Sequence, residues 1–115
     1  MKILYFLSSD SENPIKDFID SLELKQKAKI FRLFQTIQQY GLEAVMPHIK
    51  KLTGLPVWEI RILGKDNIRM LYLFIDAESI CILHGFVKKS QKTSAKDITT
   101  AMNRYQDWKK RQTTK

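Results

Sequence analysis

The sequence predicts an α+β domain: a mostly antiparallel sheet of four to five strands, with two helices before it and one after it. Three observations carry this. Apolar residues recur at helical spacing over 24–40 and again over 98–108. Between 49 and 87 they alternate with period two or run unbroken, as strands do. Turn-rich breaks separate those runs, so neighbouring strands pair as hairpins.

In chain order, Lys2 to Leu7 reads as a buried strand and not as a signal peptide, because no small-residue cleavage pattern follows it. Asn13-Pro14 starts a helix: Asn caps, and Pro suits the first helical position. Phe18, Ile19 and Leu22 follow at helical spacing. A longer helix runs from Leu24 to Tyr40, with Ile30, Leu33, Phe34 and Ile37 on one side. Gly41 ends it. Ile49 to Leu52 forms a short strand, and Thr53-Gly54-Leu55-Pro56 a turn. Trp58, Ile60 and Ile62 alternate with Val57, Glu59 and Arg61. Gly64-Lys65-Asp66-Asn67 turns the chain into a strand from Ile68 to Ile75. Asp76-Ala77-Glu78-Ser79 turns it again into Ile80 to Val87, whose nearly unbroken apolar run predicts a central strand. Ser94 and Asp97 make a capping box for the last helix, with Ile98, Ala101, Met102, Tyr105 and Trp108 as its apolar stripe. The tail from Lys109 to Lys115 reads as basic and frayed. The helices are expected to bury their stripes on one face of the sheet.

At 115 residues this is one domain, 1–115. A single cysteine, Cys81, permits no internal disulfide and fits a reducing, cytoplasmic setting. His48 and His84 stand at no metal-ligand spacing from Cys81, so neither a metal nor another cofactor is expected. No run approaches a membrane span. The net charge is +8, and its placement is uneven. Residues 85–115 hold nine basic side chains against two acidic ones, while residues 1–48 balance. Such asymmetry points to a polyanionic partner, or to a solvated basic helix.

Arg61 and Arg69 flank the first hairpin turn and come close if its strands pair, an arrangement that costs stability unless an anion sits between them. Arginine suits that task, because its planar fork holds two phosphate oxygens. Fixed cations aimed at a phosphate stabilise the charge that builds when a 2′-hydroxyl attacks it. The bland alternative pairs each arginine with Glu59, Asp66 or Asp76. For proton transfer lysine is preferred over the histidines His48 and His84, with Lys88 and Lys89 as the candidates, since a lysine among other cations has a lowered pKa; the general base and the general acid stay unassigned. His84 alternates with Ile82 and Phe86, which predicts a core position on their side, although it stays a candidate for RNA contact. Trp58 and Tyr72 share the apolar register and read as core. Cys81, in an apolar strand, reads as inert packing.

Lys50-Lys51-Leu52 with Leu55 and Trp58-Glu59-Ile60-Arg61 resembles a "K-x-L…LWELR" segment. Ile68-Arg69-Met70-Leu71-Tyr72 resembles "R-x-x-Y/F", the stretch from Leu83 to Thr93 resembles "LLHxFxKKTxKTP", and Ile98, Ala101 and Arg104 match "EIxxAxxR". These are segments of the phage-derived Gp49-like branch of the RelE/ParE toxin superfamily, which includes HigB-type toxins. The resemblance implies a RelE-like, microbial-ribonuclease-like fold and a type II toxin–antitoxin toxin that cleaves mRNA in the ribosomal A site without a metal. It implies a HigA-like helix-turn-helix antitoxin, with operon DNA reached only through that antitoxin. Arg61, Arg69, Lys88 and Lys89 match basic catalytic positions. Lys50, Lys51, Lys92 and His84 fit contacts to mRNA or rRNA. Three positions depart from the pattern: Glu59 stands where RelE-type toxins can carry a catalytic lysine, Ser94 replaces a proline, and Tyr105 belongs to the helix stripe, so the late tyrosine has no match. The alternatives are a ParE-like gyrase poison and an inactive, phage-derived binding module.

Overall fold

In the computed structural model, which describes residues 1–113 except Leu63, the elements run β1 (Lys2–Tyr5), α1 (Pro14–Asp20), α2 (Leu24–Tyr40), β2 (Ile49–Lys51), β3 (Trp58–Arg61), β4 (Ile68–Asp76), β5 (Ser79–Val87) and α3 (Ala95–Thr113). A 3-10 segment, Leu42–His48, links α2 to β2. The local signals act as expected at several ends. The Asn13 side chain accepts from the Lys16 backbone N–H at 3.0 Å, with Pro14 behind it. Gly41 takes a φ of +82° as α2 ends. The Ser94 hydroxyl accepts from the Asp97 N–H at 3.1 Å and donates to the Asp97 carboxylate at 2.6 Å. Helix α3 continues through Thr113, so most of the tail read as frayed is helical; residues 114 and 115 lie outside the described chain. Among the described residues no helix is long and apolar enough to cross a membrane.

The five strands are ordered β1-β5-β4-β3-β2. Pairings among β2 to β5 are antiparallel, and β1 joins β5 in parallel. That position makes β1 an edge strand, with Leu4 half exposed, rather than the buried strand its apolar run predicts. Ile3 and Tyr5 are half-buried against the core of the first face, and Phe6, just past the strand, is the buried residue of the segment.

The helices cover both faces of the sheet, not one. On the first face, Ile15, Ile19, Ile30, Phe34 and Ile37 from α1 and α2 pack on Ile60, Met70, Tyr72, Ile80 and Ile82. On the second, the Ile98, Ala101, Met102, Tyr105 and Trp108 stripe of α3 packs on Leu71, Leu73, Cys81, Leu83 and Phe86. The cause is legible in β4 and β5. Both strands are apolar on both sides, and each side must be removed from water. Strands β2 and β3 are apolar on one side only and lie farthest from β5, against which α3 packs. The second face is therefore open over β2, β3 and the start of β4.

A bulge in β5 resets the alternation. Leu71 pairs with His84 but Tyr72 pairs with Ile82, which leaves Leu83 without a partner. His84 thus faces the α3 side with Phe86, on which it stacks at 5.3 Å, and not the side of Ile82 as unbroken alternation predicts. The carbonyl of Leu83 accepts instead from the Arg104 guanidinium at 2.8 Å.

Candidate functional site

The open part of the second face carries the charged side chains of β2, β3 and β4. Residues two apart on a strand share a face, so Glu59 and Arg61 project together. The register sets Lys50 opposite Glu59 and Arg61 opposite Arg69. The chain leaving β5 closes one side. The Lys88 N–H donates to the Asn67 carbonyl at 2.8 Å, which holds the end of β5 against the hairpin turn. The result is a cleft of about 240 Å³ lined by His48, Lys50, Glu59, Arg61, Arg69 and Lys88, with Pro47 and Ile49 at its margin. A second, shallower cleft of about 790 Å³ adjoins it, sharing Arg69 and Lys88 and adding Asn67, Lys89, Ser90 and Gln91.

The floor is a buried carboxylate. Glu59 is 4% exposed, accepts from the Thr93 hydroxyl at 2.7 Å through Oε1, and lies 3.9 Å from the Lys88 ammonium through Oε2. Charge buried this deeply is tolerated only when hydrogen-bonded and counterbalanced. Arg69 is half-buried, and one Nη1–H donates to the carbonyl of Ile68 at 3.1 Å. Burial lowers its pKa from the usual arginine value; the Glu59 carboxylate opposes that shift and Arg61 adds to it. Arg61 is exposed, and among the described residues neither arginine has a carboxylate within ion-pair distance. The cleft thus holds two guanidiniums and one ammonium around one carboxylate, and it matches a bound anion in sign.

Of the residues singled out from the sequence, Lys50, Arg61, Arg69 and Lys88 meet in the first cleft, and Lys89 lines the second. Lys92 lies farther along, in a depression of about 300 Å³ with Lys88, Lys89 and Lys96. Lys51 pairs with Trp58 and so projects to the opposite face from Lys50. His84 lies outside these clefts. Its Nε2 is 2.7 Å from Asp97 and its Nδ1 3.5 Å from Arg104, in a network that pins α3 to β5. Burial lowers its pKa, Asp97 opposes the shift and Arg104 reinforces it. Arg104, turned inward, is withdrawn from the basic surface that its position in the sequence suggests. Trp58 and Tyr72 belong to the first face, Tyr72 wholly buried. Cys81 is buried, and burial pushes its thiol up to about 11.

Two residues of the cleft are not among the site residues chosen from the sequence, where Glu59 is read as a possible ion-pair partner of the arginines and as a departure from a lysine. Glu59 had a signal: a charged residue two before Arg61 in a strand must share its face. His48, whose Nδ1 is buried without a hydrogen-bond partner among the described residues, had none, because nothing local places the 3-10 segment beside β3.

The model of the phage-derived Gp49-like protein family (DUF891) matches residues 17–106, which span the cleft and its supports. The chain belongs to the Gp49-like family. This is a family of RelE/HigB-type toxins, and the α+β fold with its five-stranded sheet agrees with a RelE-like architecture. No curated protein is similar enough to this Gp49-like chain to stand as its relative. Membership points to a toxin of a toxin–antitoxin pair, and hence to an antitoxin partner.

Proposed function

We propose that the chain is a metal-independent, ribosome-dependent mRNA endoribonuclease that blocks translation. The observation that supports this most is the placement of Arg61 beside Arg69 on a part of the sheet that α3 leaves open, with Lys88 in the same cleft. Like charges set opposite each other, with no carboxylate among the described residues within ion-pair distance of either, cost stability. A phosphate between them would relieve that cost. The two guanidiniums would hold the non-bridging oxygens and stabilise the charge that accumulates as the 2′-oxygen attacks phosphorus. Lys88 and Lys89 would manage protons at the leaving oxygen. Lys50 and Lys92 extend the cationic surface along an RNA backbone, Lys51 and His84 projecting elsewhere. The openness of the clefts supports ribosome dependence: a shallow site would rely on its host to hold the mRNA in an attacking geometry. The ribosome places the protein in the cytoplasm. Its antitoxin, of the HigA-like helix-turn-helix type, would cover the cationic cleft with acidic groups.

Growth after induced expression, compared between wild type and Arg69→Ala, tests this first. Wild type should halt growth and Arg69→Ala should not, and 5′ ends mapped on ribosome-bound mRNA should show cuts with wild type alone. Equal arrest by both proteins removes Arg69 from the mechanism and makes gyrase the next target. No arrest by either points to a binding module without activity.

A further inference from the structure

We propose that Glu59 is the proton acceptor of the cleft, taking the 2′-hydroxyl proton of the RNA; this rests on the nuclease activity proposed above. Cations alone do not complete a transesterification, because the attacking hydroxyl must lose its proton to something. Among the side chains lining the cleft, Glu59 is the carboxylate, and it sits on the same strand face as Arg61, which would hold the phosphate. Its two oxygens are in unlike settings. Oε1 is fixed by the Thr93 hydroxyl at 2.7 Å. Oε2 lies 3.9 Å from Lys88, too far for a hydrogen bond, and has no donor among the described residues. One oxygen orients the group and the other is left to accept. An anchor for the Thr93 loop alone would need no charge, since a glutamine offers Thr93 the same acceptor.

The step balances within the cleft. The 2′-hydroxyl proton passes to Glu59 Oε2, and the oxygen lone pair forms the new bond to phosphorus. The bond from phosphorus to the 5′-oxygen breaks, and that oxygen takes a proton from the Lys88 ammonium. The products are a 2′,3′-cyclic phosphate and a 5′-hydroxyl end. Glu59 then carries the proton from the 2′-hydroxyl and Lys88 is one proton short, and the 3.9 Å between them is short enough for transfer from one to the other through a single water, which resets the cleft.

The test is single-turnover cleavage of mRNA on programmed ribosomes by the full chain, across pH, with wild type and Glu59→Gln. The groups facing Glu59 are Lys50 from β2, Arg61 from β3, Arg69 from β4, Lys88 and Thr93 beyond β5, and His48. The expected result is a loss of about 10²–10⁴-fold in Glu59→Gln, with ribosome binding and thermal midpoint near wild type. The decline of the wild-type rate on acidification should vanish in the variant. Cleavage by Glu59→Gln within threefold of wild type and with the same pH profile overturns the proposal and leaves the nuclease reading intact. No cleavage by wild type overturns both. If Glu59→Gln does not fold, the wild-type profile still decides: a rate that does not fall on acidification overturns the assignment.

Discussion

Removing Arg61 should make this protein more stable while it disables the cleft. The register sets Arg61 directly opposite Arg69, and opposed Cβ atoms lie about 5 Å apart. Long side chains can splay; with the charges at about 7 Å and a dielectric near that of water, the repulsion is about 0.6 kcal/mol. Arg61 is exposed, so little packing is lost with it. The net expectation for Arg61→Ala is a gain of roughly 0.5 kcal/mol, or about 2 °C in thermal midpoint for a domain of this size. Raising ionic strength from 0.01 to 1 M shortens the screening length from about 30 to about 3 Å. The gap between variant and wild type should therefore close in high salt. Urea unfolding at two salt concentrations, with growth arrest measured in parallel, reads all three quantities. A variant that loses more than about 0.5 kcal/mol, or whose advantage is unchanged by salt, would refute the reasoning, because Arg61 would then be held by contacts that favour the fold.

The Tyr72 hydroxyl is buried without a hydrogen-bond partner among the described residues, so Tyr72→Phe should raise stability by about 1 kcal/mol in denaturant unfolding; a loss of stability would show that the hydroxyl is satisfied. A Cβ on Gly85 would come within 2.5 Å of the Phe18 ring, so Gly85→Ala should cost about 1–3 kcal/mol. Adding Phe18→Leu should recover part of that cost, and strict additivity of the two changes would argue against the clash. His84 is half-buried, and the desolvation puts its folded pKa below the unfolded value of 6.5, so the unfolded chain takes up its proton first as the pH falls. The contribution of His84 is then complete above pH 6.5 and is lost on acidification toward its folded pKa. His84→Gln should flatten that part of the stability profile. Burial raises the Asp97 pKa, but hydrogen bonds to His84 and Ser94 outweigh it and hold the carboxyl below the usual 3.8, so the loss that follows protonation of Asp97 should shrink in the variant to the part that the Ser94 hydroxyl sustains. An unchanged profile between pH 6.5 and 4 in His84→Gln would assign the acid sensitivity elsewhere.

Helix ends and hairpin turns were legible because their causes lie within a few residues. Asn13, Gly41 and the Ser94/Asp97 box act on the backbone beside them, and α2 spans Leu24–Tyr40 as its 3.6-residue period requires. The opposition of Arg61 and Arg69 was legible for the same reason, since one short turn sets their register. By itself, then, the sequence determined the class of fold, the order of its elements and the cationic half of the cleft. Tertiary structure alone decided the parallel pairing of β1 with β5, the side of the sheet that α3 occupies, and the bulge that turns His84 toward α3. It also decided that Glu59 meets Thr93 thirty-four residues away and that His48 joins the same cleft. Those outcomes depend on which apolar surfaces bury one another at long range, and a period read along one segment holds no information about its partner.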